Sequence, residues 1–141
     1  MTDFAPKPRV VVIDDEQIVA DTLAQILKMH GYEARAYYGG ETAVAGAKDF
    51  RPEVVLSDVQ MQPIDGIETA MQIRAFLPEC RLILFTASRV RTGIHQKIRE
   101  LGFELLERPL HPSEVLALLR HDTHWRRASA SIACPAAQQR H

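Results

Sequence analysis

Cysteine is nearly missing from this chain: Cys80 and Cys134 are the only two, and they form neither a CxxC pair nor a metal-ligand spacing. That pattern offers no disulfide framework and no zinc site, and two free thiols in a reducing compartment are expected. Long apolar runs are missing as well, and none reaches the length of a bilayer span. The opening residues, MTDFAPKPRV, lack the basic-then-apolar pattern of a secretory signal. A cytoplasmic location without a membrane partner is therefore expected. Neither sign of charge dominates. Lys and Arg number 17 against 18 Asp and Glu, a formal net charge of -1. Bulk electrostatics thus point to no nucleic acid and no membrane surface. There is no glycine-rich phosphate loop and no nucleophile–His–Asp order for hydrolysis.

What is present is an alternation. The 141 residues, 46% apolar and 25% charged, suit one soluble domain with one core. Residues 9–13 (RVVVI) form a β-branched run of the kind found in buried parallel strands. The run ends in Asp14, Asp15 and Glu16, and a helical stretch follows with Val19, Leu23, Ile26 and Leu27 on one face. Gly31 closes that helix. Residues 33–37 (EARAY) read as an edge strand, and residues 41–48 as a short helix after Gly39-Gly40. Arg51-Pro52 marks a turn, and residues 53–57 (EVVLS) are a second buried strand ending at Asp58. After a loop, Asp65 with Glu68 resembles a capping box for a helix to about Leu77. Residues 81–85 (RLILF) are a third buried strand, followed by Thr86-Ala87-Ser88. Ile94, Ile98 and Leu101 share a helix face, and residues 103–106 form a short fifth strand. His111-Pro112 opens a last helix with Val115, Leu118 and Leu119 on its face.

Five strand–helix repeats in this order predict an α/β fold: a doubly wound five-stranded parallel sheet with helices on both faces, flavodoxin-like, of order 2-1-3-4-5. The periodic region spans residues 8–121. Residues 122–141 are rich in Ala, Ser and Gln, have no strong period, and are expected to be a disordered tail too short for an output domain. That tail favours a complete protein over a fragment.

Three carboxylates fall at strand ends. In the predicted order the strands before Asp14-Asp15 and before Asp58 are neighbours, so the three acids share one pocket at the topological switch point. Like charges at short range raise one another's pKa, and a divalent cation removes that cost. Magnesium suits such a site, because it takes one or two carboxylates plus waters and phosphate oxygens. Helix capping explains one acid at a strand end, but not two adjacent ones opposite a third. Thr86 ends the next strand, where its hydroxyl can donate to a phosphoryl oxygen. Arg108, before Pro109, ends the fifth strand and supplies the positive charge facing the acids. Together these residues describe a site that accepts a phosphoryl group onto a carboxylate, with metal and cation offsetting transition-state charge.

The segments VVVIDDE (10–16), VVLSDVQM (54–61), Asp65-Gly66, LFTAS (84–88) and ERP (107–109) resemble the response-regulator receiver family of bacterial two-component signalling, over residues 8–121. The resemblance implies that Asp58 is the phosphoacceptor and that Asp15 ligates magnesium directly, with Asp14 assisting through water. It implies the backbone carbonyl of Gln60 as the third protein ligand, beside Asp58 itself. Thr86 becomes the switch hydroxyl. A histidine kinase or histidine phosphotransfer protein becomes the phosphodonor, and a downstream protein reads the fourth-helix and fifth-strand face. Three departures accompany it. Arg108 stands where the family has lysine, and a planar guanidinium is not equivalent to an ammonium. Leu105 stands where the family has an aromatic switch residue, with Phe103 on the same strand face. Pro63 lies one position later than the usual proline.

Three functions compete. The first is a phosphorylation-dependent switch acting through protein–protein contacts, not an enzyme. The second is a degenerate receiver that binds a partner without phosphate, for which Arg108 and Leu105 speak. The third is a phosphohydrolase with an Asp nucleophile, against which Gln60 counts, since such enzymes usually carry a second Asp there. His121 and His124, three apart, read as a solvated helix end. Arg89, Arg91, Lys97 and Arg99 read as a charged face able to meet an acidic partner.

Overall fold

The computed structural model describes residues 7–86, 92–108 and 111–121. Ala87-Ser88, Arg89, Arg91, Pro109 and the tail with His124, Trp125 and Cys134 lie outside the described residues, as does the side chain of His121. The elements alternate: β1 (Arg9–Ile13), α1 (Gln17–Met29), β2 (Glu33–Tyr37), α2 (Gly40–Phe50), β3 (Val54–Asp58), α3 (Gly66–Phe76), β4 (Arg81–Thr86), α4 (Thr92–Glu100), β5 (Glu104–Glu107) and α5 (Pro112–His121). The strands make one sheet of order β2-β1-β3-β4-β5, and every pairing is parallel. Each strand must return to the same edge before the next begins, which is what the intervening helices accomplish.

The β-branched run of β1 explains why it lies inside the sheet. Val10, Val11, Val12 and Ile13 are all fully buried, so both faces of this strand are covered. Alternation sends Val11, Ile13, Val55, Leu82 and Leu84 to one face. There they meet Ala43, Ala47 and Phe50 of α2, Ile67, Ala70 and Ile73 of α3, and Ile98 of α4. Val10 and Val12 point the other way, where α1 packs beside β1 and β2. The predicted α/β architecture and strand order are therefore present.

Local chemistry ends the elements where the sequence places its signals. After α1 the amide of Gly31 donates to the carbonyl of Lys28, and that of Tyr32 to the carbonyl of Leu27 at 3.1 Å. This reversal requires φ +96° at Gly31, which only glycine adopts without strain. At the start of α3 the Asp65 carboxylate accepts the amide of Glu68 at 2.9 Å. Pro112 opens α5, whose amides at Glu114 and Val115 donate to the carbonyl of His111. The chain divides into two units after Pro109, and α5 belongs to the second. Its buried residues are Val115, Leu116 and Leu119.

Several details differ from the sequence expectation. The buried face of α1 is Ala20, Leu23, Ala24 and Leu27, while Val19 and Ile26 are only half-buried. Periodicity favours large apolar side chains, whereas close packing on a sheet favours alanine. β3 extends to Asp58, which pairs with Phe85. β5 starts at Glu104, because Phe103 is buried in the core with the Arg74 guanidinium 4.4 Å over its ring. Leu118 is half-buried, and Leu116 is buried in its stead.

At the amino-terminal end of β4, Arg81 forms a two-pronged ion pair with Glu104, Nε to Oε2 at 2.5 Å and Nη2 to Oε1 at 2.7 Å. The Arg81 side chain is 10% exposed and that of Glu104 42%. Removing the carboxylate takes two charge-assisted hydrogen bonds from a largely buried guanidinium. Glu104→Ala is therefore expected to cost about 1–3 kcal/mol in urea unfolding. Cys80 is free and half-buried. Burial, helped by the charge of Glu53, pushes its thiol up to about 12, so it stays protonated and unreactive.

Candidate functional site: an acidic pocket at the carboxyl ends of the strands

The parallel register decides which residues meet. Ile13 of β1 pairs with Ser57 of β3, so the next residues along, Asp14 and Asp58, emerge side by side at the same sheet edge. Asp14 continues the strand for one more bond, donating its amide to the carbonyl of Tyr37 at 3.1 Å. Asp15 follows, exposed. Oxygens of Asp14, Asp15 and Asp58 all lie within 4.8 Å of one another. This is the edge where open α/β sheets bind ligands.

Each acid has a different surrounding. Asp14 is fully buried, and both its oxygens are engaged: Oδ1 accepts the amide of Glu16 at 2.9 Å, and Oδ2 accepts from Nη2 of Arg108 at 2.5 Å. Asp58 is 8% exposed, and its Oδ2 stands 3.5 Å from the same Nη2. Burial pushes the Asp58 carboxyl up to about 6. Arg108 opposes that rise, Asp14 adds to it, a backbone hydrogen bond from Gln60 opposes it, and Asp15 adds a little more.

Arg108 reaches the acids because β5 ends beside β4. Its backbone amide donates to the carbonyl of Thr86 at 2.9 Å, and its guanidinium sits 4.9 Å over the Phe85 ring. Thr86 itself is buried at the end of β4. The backbone around Asp58 is pinned by neighbours. The Val59 amide donates to the Phe85 carbonyl at 3.0 Å, the Gly66 amide to the Val59 carbonyl at 2.8 Å, and the Ser57 hydroxyl to the Asp58 carbonyl at 3.0 Å. A Cβ at Gly66 would overlap the carbonyl oxygen of Asp58.

The structure thus brings Asp14, Asp15, Asp58, Thr86 and Arg108 to one edge. Gln60 is exposed just beyond Asp58. Leu105 pairs with Leu84 and packs half-buried against the core. Sequence reasoning missed two residues. Gly66 enters the sequence reading only within the Asp65-Gly66 segment of the family resemblance, although a glycine opening a helix after an acidic strand end is itself a signal of close backbone approach. His95 of α4, 9% exposed with Nδ1 4.0 Å from a Glu107 oxygen, ties α4 to β5 and carried no sequence signal. Lys97 and Arg99 are exposed on α4.

A parallel five-stranded sheet with an acidic pocket at this edge defines a class, and comparison with known families agrees: residues 10–120 match the response regulator receiver domain. The chain belongs to that family, the receiver domains of two-component systems. It is 28% identical over 114 residues to the probable transcriptional regulatory protein TcrX of Mycobacterium tuberculosis, covering 79% of this chain and 47% of the relative. It is 30% identical over 108 residues to the regulatory protein AtoC of Escherichia coli, covering 76% of this chain and 23% of the relative. The chain therefore spans about half or less of the length of these relatives. Among solved structures it resembles the chemotaxis protein CheY4 of Vibrio cholerae, with TM-score 0.75, 24% identity, and coverage of 82% of this chain and 98% of that one. It also resembles a CheY-like receiver domain protein of Methanospirillum hungatei, with TM-score 0.80, 18% identity, and coverage of 86% and 98%. These two likenesses concern the fold. Among the described residues no helix is long and apolar enough to cross a membrane.

Proposed function

We propose that this chain is a phosphorylation-dependent switch that accepts a phosphoryl group on Asp58 and acts through protein–protein contacts. The observation that carries the reading is the pocket itself: a buried acid at the end of a central strand, flanked by two more acids and one guanidinium. A fold has no structural need to hold three mutually repelling carboxylates together. The donor set is all hard oxygen, which fits magnesium. Asp15, Asp58, the Gln60 carbonyl and, through water, Asp14 would hold it. When bound, the ion would offset charge on the phosphoryl oxygens.

The chain's own residues supply the rest. A carboxylate oxygen of Asp58 forms the new bond to phosphorus while the bond from phosphorus to the donor breaks, and the electron pair leaves with the donor. The Thr86 hydroxyl donates to one phosphoryl oxygen, and Arg108 offers charge to another. The donor is a histidine kinase or a histidine phosphotransfer protein. The reader is a protein that docks on the face of α4 and β5. Residues 8–121 form the receiver domain, and the protein works in the cytoplasm. A second reading, a partner-binding module indifferent to phosphate, draws on Leu105. Its side chain lacks the hydroxyl of an aromatic switch residue and packs into the core.

Acetyl phosphate decides between them. Incubated with it and magnesium, the wild-type chain is expected to gain one phosphoryl group in its intact mass. Asp58→Ala, or wild type with a chelator, should gain none. An unmodified wild-type mass, together with no binding of beryllium fluoride, would sink the switch and leave the binding module.

A further inference from the structure

Helix α1 carries more apolar surface than the sheet covers. Its buried face is Ala20, Leu23, Ala24 and Leu27, and Val19 and Ile26 stand half-buried at the edge of that face. Beyond them lies a stripe of Ile18, Thr22, Gln25 and Met29, all exposed and none charged. Among the described residues the two most exposed large apolar side chains are Ile18 at 80% and Met29 at 70%, and both belong to this stripe. The four residues follow at steps of 4, 3 and 4, the spacing of a seam between two helices, and at 3.6 residues per turn they share an arc of about 60°. We propose that α1 is a docking surface for a second copy of this chain, which lays its own α1 on the stripe in the antiparallel direction.

Charge decides both the occupant and the direction. One flank of the stripe carries Asp21 and Lys28, seven residues apart, and the other flank the apolar Val19 and Ile26. When two such helices run antiparallel about a two-fold axis, each flank meets its own copy with the order reversed. Asp21 then faces the partner's Lys28, and Lys28 the partner's Asp21, while Val19 faces the partner's Ile26. Within the seam Ile18 meets the partner's Met29 at each end, and Thr22 meets the partner's Gln25 at the centre. A parallel pair instead sets the charged flank of one helix against the apolar flank of the other, and the two charges lose their match. The Tyr38 hydroxyl donates to Asp21 Oδ1 at 2.5 Å, which holds the carboxylate at the flank and occupies one oxygen of its two. The helix has 13 residues, a length of about 20 Å. One contact of that length is smaller than a standard interface, so the pair is weak, with a Kd on the order of 0.1 mM. The pairing uses neither the acidic pocket nor phosphate, so it stands or falls apart from the switch.

Analytical sedimentation of the whole chain, without magnesium or a phosphodonor, tests this from about 10 μM to about 1 mM. Wild type is expected to pass from monomer to dimer across that range. Ile18→Lys, which removes an apolar contact at each end of the seam, should weaken the dimer by about tenfold or more. Lys28→Asp sets two carboxylates against each other on the charged flank and should weaken it by a similar factor, about tenfold. Asp21→Lys combined with Lys28→Asp restores opposite charges and should return the dimer to within about threefold of wild type. All these positions are exposed, and circular dichroism checks that each variant is folded. A wild type that stays monomeric throughout overturns the proposal and leaves the stripe to a helix of another protein. A dimer that survives either single variant is built on another face, which overturns it as well. Loss in the single variants without recovery in the swapped protein overturns the antiparallel arrangement.

Discussion

Gly66→Ala is expected to lose on the order of 3 kcal/mol or more of stability, more than Gly40→Ala. The reason is what the methyl meets. A Cβ at Gly66 falls on the carbonyl oxygen of Asp58 and presses on the backbone of Val59. No rotamer change relieves a backbone clash. The segment must move, and it carries the Gly66 amide bond to Val59 and the Ser57 hydroxyl bond to Asp58. Gly40→Ala is the control. Its Cβ meets Thr69 Oγ1 and the Ile64 side chain, groups that can rotate or shift in part, so about 1–2 kcal/mol is expected. Urea unfolding of both variants checks the order. Gly66→Ala should also accept phosphate poorly even while folded, because Asp58 is displaced along with its carbonyl. A Gly66→Ala protein as stable as wild type would show that the β3–α3 connection is far more pliable than its hydrogen bonds imply.

With a chelator present, the stability of the wild-type chain is expected to fall as pH rises from about 4 through about 6, and Asp58→Asn should lack that fall. The sign follows from the Asp58 carboxyl, raised from 3.8 to about 6 chiefly by burial. In that interval the folded protein holds a proton that the unfolded chain has released. Stability from this group is therefore fully present below the unfolded value and lost as pH rises through the folded one. At pH 8 the Asn variant should be more stable than wild type. The gain is on the order of 1 kcal/mol once screening by water at the pocket mouth is allowed for, or several degrees in melting temperature. Melting curves across pH for the two proteins test it, and parallel profiles would refute it. Added magnesium should raise the wild-type curve at pH 8 and raise that of the Asn variant less, since the variant offers one carboxylate fewer.

Much of the architecture could be read from the residues, because alternation between β-branched runs and amphipathic stretches is a strong signal. An open doubly wound sheet follows from that alternation, and in the order 2-1-3-4-5 the strands that end at Asp14 and Asp58 are neighbours, while their register is set by the pairing of Ile13 with Ser57. What escaped was contact detail. The face of α1 runs through Ala20 and Ala24 rather than Val19 and Ile26, since small side chains give a weak periodic signal and the best fit to a sheet. Ile18, apolar and next to the pocket in sequence, is 80% exposed. Arg108 was placed opposite the acids, but no spacing could reveal that its closest bond is to Asp14 rather than Asp58. The approach of Gly66 to Asp58 depends on how a loop closes, which no local pattern encodes.

Strand position gives the pocket two sides of unequal stiffness. Asp14 and Asp58 hang from β1 and β3, each paired on both edges and buried on both faces. Arg108 hangs from β5, four residues long with one neighbour and with Leu105 and Leu106 only half-buried. Opening the acidic side means breaking the centre of the sheet, while opening the basic side means loosening an edge. Asp58 is therefore held as a fixed anvil, and under the function proposed above the part that gives is the strand that carries the arginine.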